Sequence, residues 1–166
     1  MNKPRFNWTR FPELCEEPPE LVVVYEDFET WFRVRDELRA LWGHYDAGRS
    51  PRTAAWNFSL FEHPDFLNMA VRDADGAAAI IISAHGNTAL PPSVETLIER
   101  WRDSSISPAS MVVILLDAVS QNHPAGNQIV DYIEHFALIG HLDWSVRFCD
   151  VKQQPGPGWL LHILQS

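Results

Sequence analysis

Residues 77–87 read AAAIIISAHGN, an apolar run that ends abruptly in Ser83, Ala84, His85, Gly86 and Asn87. Ala77 to Ile82 shows no alternation of apolar and polar positions, and the β-branched triplet Ile80, Ile81, Ile82 favours a pleated, packed surface. Both features describe a strand covered on both faces, as in a parallel sheet flanked by helices. All of the polarity arrives at the strand's C-terminal end, where an open parallel sheet gathers its ligands and chemistry.

Two further runs have the same character. Leu21–Tyr25 (LVVVY) is followed at once by Glu26 and Asp27, and Met111–Leu116 (MVVILL) is followed by Asp117. Between these strands the period changes to three and four. Phe28, Trp31, Phe32, Arg35, Leu38, Leu41, Trp42 and Tyr45 fall on one predicted helical stripe, with Asp27 as its N-cap and Gly43 as its stop. Pro64 opens a second helix through Val71. Val94, Leu97, Ile98 and Trp101 mark a third, and Ile129, Tyr132, Ile133 and Phe136 a fourth. Ala54–Phe61 alternates with Trp56, Phe58 and Leu60 on one side and is expected to be a half-exposed strand at a sheet edge. Trp144–Val151, less apolar than the central runs, is expected to be the last strand. The tail Trp159–Leu164, after the breaker Gln153–Gly158, reads equally as a strand or a helical turn.

About five strands alternating with about four helices imply right-handed crossovers and a mainly parallel sheet. The expected fold class is α/β, a three-layer αβα sandwich in the flavodoxin-like order 2-1-3-4-5. Residues 1–19, rich in proline, are expected to form an extended arm pinned by Phe6, Trp8 and Phe11 to the body or to a partner subunit. Residues 20–166 form the single domain.

Composition narrows the function classes. The 166 residues carry 13 basic and 22 acidic side chains, a formal charge of −9. Lys3 and Lys152 are the only lysines and the arginines are scattered, so nucleic acid is not an expected partner. No apolar run approaches the roughly 20 residues that span a bilayer, and the opening MNKPRFNWTRF lacks the apolar core of a signal peptide. The two cysteines, Cys15 and Cys149, lie far apart and read as inert thiols of a reducing compartment. A cytoplasmic protein is expected, with a protein partner or a second copy of itself.

In the order 2-1-3-4-5, strands one and three are neighbours. Glu26 and Asp27 therefore meet Ser83, His85, Gly86 and Asn87, and Asp117 joins them from strand four. These residues form the expected ligand-binding cleft. Ser83 and His85, two apart on a strand, share a face as a Ser–His pair would, but no sharp elbow of the GxSxG kind surrounds Ser83. His63, His85 and His123 all follow predicted strands, yet no short ligand spacing links them, and no metal site is assigned. The cofactor is left open.

A hydrophobic first strand ending in the pair Glu26–Asp27, followed by alternating strands and helices, resembles the receiver domains of two-component response regulators over about Leu21–Lys152. The resemblance implies a magnesium site at the acidic pair and a phosphoaccepting aspartate at the end of strand three. Here Ser83, Ala84 and His85 stand in that place, Asp117 and Ala118 stand where a hydroxyl ends strand four, and Lys152 is a loose match for the lysine ending strand five. Losing the central carboxylate removes both a metal ligand and the acceptor. The resemblance thus implies a pseudo-receiver, a non-phosphorylated regulatory or interaction module. The run Asp73–Asn87, a Pro-containing loop and a helix with Glu95 and Glu99 is also similar to TIR-like and nucleoside deoxyribosyltransferase-like domains. That likeness implies instead an N-glycosidic enzyme in which a helix glutamate stabilises a developing positive charge.

Overall fold

A computed structural model describes residues 8–43, 45, 47–104 and 111–150. Five strands, β1 (Glu20–Tyr25), β2 (Arg52–Asn57), β3 (Ala79–Ser83), β4 (Met111–Asp117) and β5 (Asp143–Cys149), form one sheet in the order β2-β1-β3-β4-β5. Every pairing is parallel. This is the flavodoxin-like order expected from the sequence, with β2 and β5 at the edges.

The missing alternation of the three central strands has its cause in packing. Val22 and Val24 of β1, Ile80 and Ile82 of β3, and Val112, Ile114 and Leu116 of β4 point to one face. There they meet helices α3 (Pro64–Ala74), α4 (Pro92–Ser104) and α5 (Pro124–Gly140). Leu21, Val23, Ala79, Ile81, Val113 and Leu115 point to the other, under α2 (Phe28–Trp42) and the short α1 (Phe11–Leu14). Neighbours across the sheet are in register, Val22 beside Ile80, Ile80 beside Val112 and Val112 beside Trp144. The stripe Val94, Leu97, Ile98 and Trp101 is buried as its spacing requires, and the Trp101 indole donates to the Ala74 carbonyl at 3.0 Å.

Three readings change. Residues 8–14, within the predicted extended arm, make a 3-10 turn and α1, with Pro12 in the first helical turn where a missing N–H costs nothing. Trp8 and Phe11 do pin this segment to the body, by stacking on each other and meeting Trp42 edge-on. Phe6 and residues 151–166, including Lys152 and Trp159, lie outside the described residues. β2 stops at Asn57, and Phe58–Glu62 is a 3-10 turn capped by the Asn57 carboxamide, which accepts from the Ser59 amide at 2.9 Å. Finally, the buried face of α2 is Thr30, Val34 and Trp42, and Phe28, expected on it, is 74% exposed. Trp42 and Leu41 still pack inward, so the predicted stripe was out of phase mainly at its N-terminal end.

Candidate functional site

The loop after β1 is shaped by a reciprocal cap. The Thr30 amide donates to Asp27 Oδ1 at 3.0 Å, and Thr30 Oγ1 accepts from the backbone amides of Glu26 and Asp27 at 3.1 and 3.0 Å. This satisfies the Thr30 N–H in the first turn of α2 and leaves Asp27 Oδ2 for another partner.

That oxygen meets His85. Its Nε2 lies 2.6 Å from Asp27 Oδ2, and its Nδ1 lies 2.8 Å from Asp117 Oδ2. Glu26 accepts from the His85 backbone amide at 2.9 Å, and Glu26 Oε2 and Glu29 Oε2 lie 3.8 and 3.9 Å from Nε2. Ionised carboxylates only accept hydrogen bonds, so an imidazole facing one at each nitrogen must donate from both. Below its folded pKa His85 is therefore an imidazolium. Burial opposes its charge, but the hydrogen bonds to Asp27 and Asp117 and the two carboxylate charges prevail and hold its pKa above the ordinary histidine value. Burial likewise pushes Asp27 upward, and the Thr30 amide and His85 outweigh it, holding this carboxyl below its usual range.

Behind His85 stands a residue the sequence reading missed. Arg33 Nη1 binds Asp117 Oδ1 at 2.5 Å, while Nη2 donates to Ser83 Oγ, the Ala84 carbonyl and the Leu115 carbonyl at 3.1, 2.7 and 3.0 Å. The guanidinium thus closes the C-terminal ends of β3 and β4 and fixes Asp117. Ser83 is fully buried, and its hydroxyl donates to the Thr30 carbonyl at 2.9 Å. That hydroxyl is engaged beneath α2, so Ser83 braces the sheet end and is not presented to the crevice as a nucleophile.

Gly86 takes φ +86°, and a Cβ there would lie 2.6 Å from Ser120 Oγ, so the turn after His85 needs glycine. Asn87 lies exposed just past it. Five of the seven expected cleft residues, Glu26, Asp27, Ser83, His85 and Asp117, are joined by the contacts above. Gly86 shapes the turn, and Asn87 is not among the side chains that meet there.

Among the described residues, Glu26, Asp27 and His85 place one ligand atom each within 4.8 Å of the others, as a metal site requires. An imidazole with two carboxylates, its Nδ1–H oriented by Asp117, suits a borderline ion such as zinc once Nε2 loses its proton. Hard magnesium prefers an all-oxygen set, which the imidazole interrupts. His63 and His123 do not join this cluster. Each precedes a proline as the N-cap of a helix, and His123 Nδ1 accepts from the Ala125 amide at 3.1 Å. Burial pushes both Cys15 and Cys149 thiols up, which disfavours reactive thiolates.

No protein-family model and no curated protein matches the chain. Among solved structures it is similar to a metal-soaked flavodiiron core, Flv1, from Synechocystis sp. PCC6803, at 13% identity and TM-score 0.49 over 80% of this chain and 31% of that one. It is also similar to the Trp repressor binding protein from Bacillus subtilis, at 8% identity and TM-score 0.47 over 87% and 94% of the two chains. A third is general stress protein 14 from Treponema denticola in complex with FMN, at 10% identity and TM-score 0.45 over 79% and 84%. The chain spans about a third of the flavodiiron core's length. The flavodoxin-like fold rests on this chain's own strand order. No helix among the described residues is long and apolar enough to cross a membrane.

Proposed function

We propose that this chain is a pseudo-receiver, a receiver-like domain that takes no phosphoryl group and acts as a regulatory, protein-interaction module. One observation carries the reading: the His85 ring, at the end of β3, contacts Asp27 at one nitrogen and Asp117 at the other, 2.6 and 2.8 Å away. The resemblance to receivers implies a bound cation at the acidic pair and an acceptor carboxylate at the end of β3. In this chain the cation is the imidazolium itself, and no carboxylate ends β3.

Two features argue against a flavin phosphate in this crevice, although the Treponema protein's structure holds FMN. Glu26, Asp27 and Glu29 gather at the start of α2, where they repel a phosphate. The N-terminus of α2, which would otherwise attract an anion, is already capped by Asp27. A third observation favours the pseudo-receiver over the N-glycosidic alternative. Glu99 accepts from the Tyr132 hydroxyl at 3.3 Å, and after burial the charges of Glu99 and Glu95 are what raise the Tyr132 pKa, so both glutamates face α5.

The test is direct. The protein is incubated with acetyl phosphate and magnesium and analysed by intact mass, titrated with FMN by fluorescence quenching, and assayed for base release from nucleosides and NAD. No adduct, no quenching and no released base are expected. A stoichiometric phosphoryl adduct, saturable FMN binding, or base release abolished by Glu95→Gln or Glu99→Gln would each overturn the reading.

A further inference from the structure

The two most exposed large apolar side chains among the described residues are Val119, at 80%, and Phe28, at 74%. Both stand close in the chain to residues that hold His85. Phe28 directly follows Asp27, and Val119 follows Asp117 by two residues on the turn that leaves β4. His85 is hydrogen-bonded to both aspartates, so one imidazole ties together the two loops that carry these side chains. Phe28 also stacks on Phe32 along α2, with ring centroids 6.5 Å apart, and the Arg35 guanidinium covers the Phe32 ring at 4.7 Å. The aromatic surface on this side of the crevice is therefore preorganised rather than a single stray ring. Scattered exposed apolar residues need no explanation, but the two extremes framing one polar crevice mark an interaction surface.

The charge around them selects the partner. Glu26, Asp27, Glu29 and Asp117 surround the crevice against His85 and the Arg33 behind it, and Arg35, beyond Phe32, is matched by Asp36. The carboxylates of Glu26, Asp27, Glu29 and Asp117 outnumber the cations that meet them, on a chain of net charge −9. A second copy would bring the same carboxylates face to face across a twofold interface, where like charges oppose closure.

We infer that the Phe28–Val119 rim docks a short basic segment of another protein, in which Lys or Arg residues flank an apolar side chain. The apolar group covers Phe28 and Val119, and the cations meet the carboxylates of Glu26, Asp27 and Glu29. A guanidinium can in addition stack on the open Phe28 ring. This names the partner chemistry of the interaction module proposed above and rests on that reading.

The probe is the synthetic peptide Lys-Arg-Leu-Phe-Arg-Lys, titrated into the full-length 15N-labelled protein. Two controls carry serine for its apolar residues or glutamate for its basic ones. The first peptide is expected to shift the amides of residues 26–29, 85–87 and 118–120 and to bind at least about tenfold more tightly than either control, the effect of losing one hot-spot contact. Phe28→Ser with Val119→Ser, at positions too exposed to disturb the core, should lose about tenfold, and Glu29→Lys should weaken binding alone. Equal binding of all three peptides, shifts on another surface, or affinity unchanged in the double variant overturns the inference. So does a concentration-dependent dimer, by sedimentation, that the double variant abolishes. The two proposals fail separately. Absent peptide binding with no phosphoryl adduct and no FMN binding removes the docking surface alone, whereas phosphoryl or FMN uptake removes the pseudo-receiver whatever the peptides do.

Discussion

Replacing His85 with alanine removes the one cation shared by Asp27 and Asp117, and the cost follows from how dry each contact is. The Asp117 side chain is only 12% exposed, and a charge-assisted hydrogen bond in such a place contributes about 1.5–3 kcal/mol. The Asp27 side chain is 46% exposed, so solvent screening limits its share to roughly 0.5 kcal/mol. His85→Ala should therefore lose roughly 2–3 kcal/mol near pH 6, a fall in melting temperature of roughly 5–10 °C for a domain of this size. The loss depends on pH with a definite sign. Because the folded His85 pKa is raised above 6.5, the contribution is complete below 6.5 and disappears as the pH rises through the folded value. Over that window the wild type binds a proton that its unfolded chain does not, so its stability falls with pH at up to about 1.4 kcal/mol per unit. Asp27, held low, acts oppositely, stabilising above 3.8 and losing its contribution as the pH falls through its folded pKa. Urea unfolding of wild type and His85→Ala from pH 5 to 9 measures the His85 limb. The two stability curves should converge at high pH. A constant difference across the range would mean that His85 is neutral in the folded state, and the reading of His85 as the cation shared by Asp27 and Asp117 would be refuted.

Three other outcomes are expected. Arg33→Met leaves Asp117 with a single cation and deprives Ser83, Ala84 and Leu115 of a donor, so it should cost about 3–5 kcal/mol in urea unfolding; a loss under about 1 kcal/mol would show that Arg33 does not anchor the sheet end. Gly86→Ala strains a backbone at φ +86° and drives a methyl into Ser120 Oγ, costing about 1–3 kcal/mol. Adding Ser120→Gly should recover only part of this, since the φ strain remains. His85→Asp supplies the carboxylate absent from the end of β3: the variant should be destabilised by crowded like charges and regain stability with millimolar magnesium, whereas wild type should show no magnesium shift in differential scanning fluorimetry. A wild type stabilised by magnesium as strongly as the variant would restore the metal chemistry of receivers.

The sheet was legible because burial on both faces erases alternation, and Leu21–Tyr25, Ala79–Ile82 and Met111–Leu116 carry that signature without interruption. Strand order then brought Glu26, Asp27, His85 and Asp117 together before any contact was seen. The cap was legible too, in Asp27 and the first turn after it. Arg33 was not. It stands beside Thr30 and Val34 on the inner side of α2, but the ring of Phe28 drew the expected stripe toward the outer side, and a polar residue on a buried face carries no hydrophobic signal. Its one trace in the sequence is the conjunction of a charged residue with the Thr30–Val34 spacing. Phe58 and Leu60 misled for the converse reason: their alternation imitates a strand, while Asn57, through its side chain, turns the backbone out of the sheet. Two-residue periodicity cannot distinguish the two when the pattern spans so few residues.

The proposed exclusion of phosphate and of magnesium from the crevice has a common physical origin in where its positive charge comes from. A site that recruits a cation from solution must stay open and must carry uncompensated carboxylates when empty. Here the cation is attached to the chain two residues beyond a rigid strand, and tethering gives it an effective concentration that a free millimolar ion does not reach. Asp117 is clamped by Arg33 and Asp27 by the cap of α2, so neither acid has to move to accept it. The network therefore joins the start of α2 to the end of β4 and ties together the loops that carry Phe28 and Val119. A surface meant for a protein partner gains from being already assembled, because ordering its loops no longer subtracts from the binding free energy.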